Sequence, residues 1–136
     1  MGILVDHLSL GVNDLDRSRR FYDAALAALG QVGRATAASE IGYAKDGVDP
    51  LAPDAEAFFI GFEDPRAKKP VTPSAGLHIA FRASSERAVE ASYRAALDAG
   101  GFDNGPPGLR PHYHAHFYAA FVIDPDGHHI EAVFHG

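Results

Sequence analysis

Two histidines and one glutamate lie in strand-like segments from which they could hold a divalent metal ion. His7 lies in "ILVDHLSLGV", His78 in "GLHIAF" and Glu131 in "HHIEAVF". In each segment the residues alternate as in a β-strand, and the histidine or glutamate lies opposite the most apolar side chains. Two histidines and one carboxylate with open coordination positions are typical of non-haem Fe(II), and these ligands also suit Zn, Ni, Co or Mn.

The elements that carry these residues occur twice along the chain. An offset of 71 residues brings His7 onto His78 and Tyr22 onto Tyr93. In both halves a strand is followed by a cap residue, an amphipathic helix and a glycine that ends the helix. A repeat of about half the chain indicates two similar supersecondary units.

Each unit is predicted to contain a strand, a helix and about three further strands. The units span about 1–63 and 76–136, and a connector rich in proline and charge joins them at about 64–75. Placed side by side, they form one α+β domain (1–136) with a curved mixed sheet, a concave inner face and helices on the outer face. The predicted strands lie at 3–12, 31–37, 41–46, 57–62, 76–83, 117–123 and 128–134, and 103–114 is predicted to be a loop.

Composition limits the classes of function. The 136 residues carry a formal net charge of −6, which argues against a nucleic-acid partner because such proteins need a basic face. The absence of cysteine excludes disulfides and thiolate chemistry. No signal peptide and no membrane span are expected, so we expect a cytoplasmic protein. The expected partner is a small-molecule substrate.

The carboxylate of Glu131 has alternatives to a metal ion. It could pair with Arg82 or Arg110, because a buried carboxylate without a partner costs several kcal/mol, or it could face solvent on an edge strand. His129 and His135 flank it on the same predicted face as alternative ligands or supporting partners. His128, which follows the turn "DPDG", is predicted to be exposed.

A second group of histidines occurs in "RPHYHAHFY". His112, His114 and His116 alternate, so they would share one face of an extended chain. Histidine suits general acid–base chemistry near neutral pH, and arginine can hold a carboxylate or phosphate. We predict catalytic or substrate-binding roles at the mouth of the pocket, with a separate metal site or an ordinary surface loop as alternatives. The predicted catalytic residues are His112, His114 and Tyr118, and the predicted substrate-binding residues are Arg110, Tyr113 and Phe58.

The segments "DHLSLGVNDLDRSRRFYDAALAALG", "GLHIAF" and "DPDGHHIEAVFH" together resemble the vicinal oxygen chelate superfamily, which includes glyoxalase I, extradiol dioxygenases, fosfomycin resistance proteins and bleomycin-binding proteins. The resemblance covers nearly the whole chain. It implies paired βαβββ modules that form a cup-shaped sheet around one divalent ion, with His7, His78 and Glu131 as ligands. It also implies a homodimer.

One departure from the family pattern bears on the reaction. Glyoxalase I-like members have a fourth ligand, often glutamate, in the last strand of the first module. In this chain the 71-residue offset makes Ile60 the residue of the first unit that is equivalent to Glu131. We therefore expect a glyoxalase-like metalloenzyme of lyase or isomerase type rather than glyoxalase I itself. The alternatives are an Fe(II) extradiol-type dioxygenase and a metal-free protein that binds a drug or metabolite.

Overall fold

A computed structural model describes residues 4–62 and 64–136. Its strands are β1 (His7–Leu10), β2 (Gln31–Ala37), β3 (Ser39–Lys45), β4 (Ala57–Phe62), β5 (His78–Arg82), β6 (Phe102–Asp103), β7 (Gly108–Leu109), β8 (Tyr118–Ile123) and β9 (His129–Phe134). Its helices are α1 (Leu15–Ala27), α2 (Glu86–Asp98) and a short 3-10 helix (Pro65–Ala67). None of the described helices is long and apolar enough to cross a membrane.

The strands form two mixed sheets, one from each half of the chain. The first has the order β1-β4-β3-β2, and the second has the order β5-β9-β8-β6 with β7 also paired to β8. In both sheets the first strand runs parallel to the last strand of its unit, whereas the other pairs are antiparallel. The α+β class with mixed sheets is therefore confirmed.

Both helices begin at the cap residues that the sequence indicates. The side chain of Asp14 accepts a hydrogen bond from the backbone N–H of Arg17, and that of Ser85 accepts one from Ala88. Such caps satisfy donors that the first helical turn leaves free. The two helices pack against each other, so the two units share a buried boundary.

One hydrophobic core joins the two sheets. It contains apolar residues of α1, α2 and both sheets, including Leu10 of β1 and Ile130 of β9, with Ile79 of β5 packed against it. Because side chains alternate along a strand, His7, His78 and Glu131 point away from this core. The core therefore fixes which face of each sheet carries the predicted ligands.

β1 and β5 are edge strands of different sheets, and both line the same two cavities. Leu10 lines a cavity with Leu77 and Ile79, and His7 lines another with Arg82. The two strands therefore run in opposite directions, because the end of β1 lies near the start of β5. The edges that carry the predicted ligands His7 and His78 therefore face common cavities.

The turn between β8 and β9 ties the second unit to α1. The buried Asp124 accepts a hydrogen bond from the hydroxyl of Tyr22 at 2.6 Å. Asp126 accepts from the guanidinium of Arg17 at 2.8 Å and from the amide of Asn13 at 3.0 Å. These bonds act between units and stabilise their packing.

The prediction that His128 is exposed is wrong. The residue is buried, and its Nε2 lies 3.0 Å from the carbonyl oxygen of Gly11, to which it donates. Its backbone N–H also donates to Asp124. A turn residue is expected to face water, but this turn packs against the end of β1.

The segment predicted as a loop at 103–114 contains additional strand pairing. Asp103 pairs with Val122, and β7 pairs with the start of β8. The guanidinium of Arg110 donates to the carbonyl oxygens of Pro106 and Gly108, which holds the intervening chain in place. These short pairings lack the alternation that identifies longer strands in a sequence.

Candidate functional site

Glu131 and His78 are in contact on the face of the second sheet that points away from the core. Oε1 of Glu131 lies 3.2 Å from Nε2 of His78. The parallel pairing of β5 with β9 places Ala80 opposite Glu131, and His78 lies two residues before Ala80 on the same face of the sheet. The Glu131 side chain is 4% exposed and that of His78 is 54% exposed. The buried carboxylate thus lies beside an imidazole that solvent can reach.

The carboxylate of Glu131 lacks a partner on one side. Its Oε2 is buried and has no hydrogen bond among the described residues. Burial raises the pKa of Glu131, although the charges of His78 and Arg110 oppose the shift. A buried acceptor without a donor costs free energy, which a cation or a proton would offset.

His7 lies on the first sheet and does not contact this pair. Its Nδ1 lies 2.6 Å from Oδ1 of Asp6, and its ring packs edge-on against Phe59. Among the described residues, His7 is not in any group of three ligand-type residues whose donor atoms lie within 4.8 Å. The structure thus brings together two of the three predicted ligands, and the full triad stays a prediction.

Asp124, Asp126 and His128 place ligand-type atoms within 4.8 Å of one another. These residues already take part in hydrogen bonds: Asp124 accepts from Tyr22, and Nε2 of His128 donates to the carbonyl oxygen of Gly11. The group could hold an ion, but its present bonds are those of a structural link between the units.

The segment that carries His112, His114 and His116 folds into turns. The N–H of Tyr113 donates to the carbonyl of Arg110, and that of Phe117 donates to His114. The segment is therefore not extended, and the shared face predicted for an extended chain does not apply. The turns allow the segment to fold back onto the end of β9.

His114 pairs with His135 at the end of β9. Nδ1 of His114 accepts a hydrogen bond from the backbone N–H of His116, and its Nε2 lies 2.9 Å from Nδ1 of His135. Because Nδ1 is an acceptor, Nε2 carries the proton and donates it to His135. Both nitrogens of His114 are therefore engaged. The exposed ring of His112 packs against Tyr113 at an interplanar angle of 41° and makes no hydrogen bond among the described residues.

Arg110 lies near Glu131 without contacting it. Its guanidinium lies 5.3 Å from the ring centroid of Phe121, which pairs with Glu131 across β8 and β9. This stacking and the two loop carbonyls hold the guanidinium. Arg110 thus contributes positive charge beside the candidate metal ligands.

Two other predicted site residues lie on the core side. The hydroxyl of Tyr118 donates to Glu90 on α2 at 2.7 Å, which raises the pKa of Tyr118 to about 12. Phe58 is buried against Tyr22 and Phe81. Because side chains alternate, the neighbouring Phe59 rather than Phe58 lies beside His7. Their predicted roles stay untested, and we do not include them in the proposed site.

The first unit contributes a cavity of about 370 Å³ next to His7. Its polar lining includes Asp6, Ser9 and Glu40, and its apolar lining includes Phe59 and residues of the 50–55 loop. Sequence reasoning missed Glu40 because the predicted strand began at residue 41. Ile41 is buried in the core, and adjacent residues of a strand point to opposite faces of the sheet. This alternation was the signal that could have placed Glu40 on the face away from the core.

His7, His78 and Glu131 are chemically suited to a divalent ion. The observation that favours this is the buried Oε2 of Glu131, which has no donor beside an accessible imidazole. Imidazole nitrogen and carboxylate oxygen form a mixed ligand set for first-row divalent metals. Nε2 of His78 and Oε1 of Glu131, which are already in contact, are the central atoms of this candidate metal site.

Comparison with known proteins gives a family model and related solved structures. The model described as "Glyoxalase/Bleomycin resistance protein/Dioxygenase superfamily" matches residues 4–132. The solved structure of a glyoxalase/bleomycin resistance protein from Albidiferax ferrireducens T118 is 32% identical, with a TM-score of 0.81. The match covers 98% of this chain and 100% of that one.

Two further solved structures share the fold at lower identity. A glyoxalase-related enzyme from Fulvimarina pelagi is 24% identical with a TM-score of 0.67, covering 96% of this chain and 86% of that one. A glyoxylase/bleomycin resistance protein/dioxygenase domain from Frankia sp. EAN1pec is 18% identical with a TM-score of 0.65, and both chains are covered completely. No curated protein gives a significant match. The fold, the family model and the 32% identical solved structure lead to one conclusion: the chain belongs to the glyoxalase/bleomycin resistance protein/dioxygenase superfamily.

Proposed function

We propose that this protein is a divalent-metal-dependent, glyoxalase-like enzyme of lyase type that acts on a small oxygenated metabolite. The observation that carries the proposal is the carboxylate of Glu131, buried with one oxygen unpartnered and the other 3.2 Å from His78. His7, from the adjacent edge strand, would be the third ligand. A purely structural role does not explain this carboxylate, because burying an oxygen atom without a hydrogen-bond donor costs free energy.

Each residue of the proposed site has a distinct role. Glu131 and the two histidines would hold the ion, which when bound acts as a Lewis acid toward adjacent oxygens of a substrate. Arg110 adds positive charge that favours an anionic transition state. We assign proton transfer to His112 rather than His114, because both ring nitrogens of His114 are already hydrogen-bonded.

Solvent exchange tests the proposed chemistry. The protein loaded with each candidate metal is incubated with small α-hydroxycarbonyl compounds in D₂O, and deuterium at the carbon beside the carbonyl is followed by NMR. We expect exchange that requires metal, is lost in His78→Ala, and falls by roughly 100-fold or more in His112→Ala. Oxygen uptake with catechols and no exchange would instead identify a dioxygenase, and absence of metal binding would refute the proposal.

We also propose that the protein is a homodimer. Apolar side chains around β1 are exposed: Leu4 fully, Val5 by 51%, Leu8 by 42% and Leu51 by 64%. A second copy would cover this region, where an exposed apolar surface is otherwise unfavourable. Light scattering should give a mass of about twice 14.5 kDa. A mass of 14.5 kDa at micromolar concentration would contradict the proposal.

A further inference from the structure

The cavity of the first unit carries a charge pattern that the proposed reaction does not explain. Two carboxylates, Asp6 and Glu40, line it together with His7 and Ser9. None of its described lining residues is lysine or arginine. Its volume of about 370 Å³ is within the range of small-molecule sites.

The two carboxylates differ in what they can offer a ligand. Asp6 is 83% exposed, and its Oδ1 is bonded to Nδ1 of His7. Glu40 is half-buried, and its Oε1 accepts a hydrogen bond from Thr36 at 2.9 Å. That bond fixes the carboxylate, and Oε2 has no hydrogen bond among the described residues. Glu40 is therefore an oriented acceptor inside the cavity.

The other walls suit the apolar part of a ligand. Phe59 and Ala57 of β4 form one side, and residues of the 50–55 loop, Pro50, Leu51, Ala52, Pro53 and Ala55, form another. His7 lies on the same lining and pairs with Ala57 of β4, whereas Glu40 pairs with Gly61, four residues further along that strand. A ligand that lies along β4 in the cavity therefore reaches the proposed metal ligand at one end and Glu40 at the other. The cavity thus combines an apolar middle with an anionic end.

From this arrangement we infer that the cavity selects substrates that carry an ammonium or another cationic hydrogen-bond donor, and that Glu40 determines this selectivity. The inference rests on the proposed function, because it places the oxygen-bearing end of the substrate at His7. A carboxylate or phosphate at the far end of the substrate is disfavoured, because it would face Glu40 with no cation in the described lining.

A matched pair of probes tests the inference. Dopamine and 3,4-dihydroxyphenylpropionate share a ring with adjacent oxygens and a two-carbon spacer, and they end in an ammonium and a carboxylate respectively. Titration calorimetry at low salt should show dopamine binding roughly 10-fold more tightly, because a favourable charge contact replaces an unfavourable one. In Glu40→Gln the preference should fall to within about 2-fold.

Glu56→Gln provides the control, because Glu56 is exposed and does not line this cavity. It should keep the preference for dopamine. Equal or tighter binding of the carboxylate, no measurable binding of dopamine, or an unchanged preference in Glu40→Gln would overturn the inference. Repeating the titrations without divalent metal separates the two proposals. A loss of affinity for both probes without metal reports on the proposed metal site, whereas the ratio of the two probe affinities reports on the role of Glu40.

Discussion

Replacing Glu131 with glutamine should weaken divalent metal binding by at least about 100-fold, because even partners outside the first ligand shell contribute about 10- to 100-fold. In the metal-free protein the same change should be stabilising at neutral pH. Burial raises the pKa of Glu131, so the folded state releases this proton at a higher pH than the unfolded state. Unfolding therefore becomes more favourable as the pH rises above about 4.3, the ordinary value for glutamate.

Calorimetric titration with a divalent metal measures the change in metal affinity. Urea unfolding of the metal-free protein measures the change in stability. Glu131→Gln should remove the loss of stability between acid and neutral pH, and the two proteins should differ little in stability near pH 4. Glu90→Gln is the matched control, since Glu90 is an exposed residue of α2 bonded to Tyr118. Unchanged metal affinity in Glu131→Gln, or a metal-free variant less stable than the parent at pH 7, would contradict the proposed role.

Replacing Tyr22 with phenylalanine should lower the free energy of unfolding by roughly 2–3 kcal/mol, or the thermal midpoint by roughly 10 °C. Tyr22 and Asp124 are both completely buried, and the tyrosine hydroxyl is the only donor to Oδ2 of Asp124 among the described residues. The change removes the donor and leaves a buried carboxylate oxygen without a partner, which is costly. Urea unfolding followed by circular dichroism measures the difference.

Tyr93→Phe is the natural control because Tyr93 occupies the equivalent position in the second unit. Its hydroxyl donates to Asp103 at 2.9 Å, but this bond is exposed to solvent. The cost should be less than about 0.5 kcal/mol, because water replaces the lost donor. Similar effects of the two changes would show that the bond between Tyr22 and Asp124 does not stabilise the packing of the units as we describe.

The sequence predicted local structure well because its signals were local. The strands predicted at 31–37 and 57–62 match the structure, and the helices begin after Asp14 and Ser85. Alternation also placed His78 and Glu131 on the face away from the core. Caps, glycine stops and alternation act within a few residues and can be detected in one chain.

The contacts between the units could not be predicted in this way. Tyr22 and Tyr93 occupy equivalent positions in the two units. Of the two, only Tyr22 donates a hydrogen bond to a buried carboxylate of the other unit. The prediction that His128 is exposed fails because nothing local in the sequence shows that its turn packs on Gly11. The pairing of His114 with His135 likewise depends on how a turn folds back, which alternation does not report.

The central claim is that Glu131 and His78 hold a divalent ion together with His7. Anomalous diffraction from crystals of the metal-loaded protein, measured on both sides of the absorption edge of the metal, tests it most directly. We expect one strong peak at about 2.0–2.2 Å from a carboxylate oxygen of Glu131 and from a ring nitrogen of each histidine. A peak at Asp124, Asp126 and His128, or no peak beside Glu131, would contradict it.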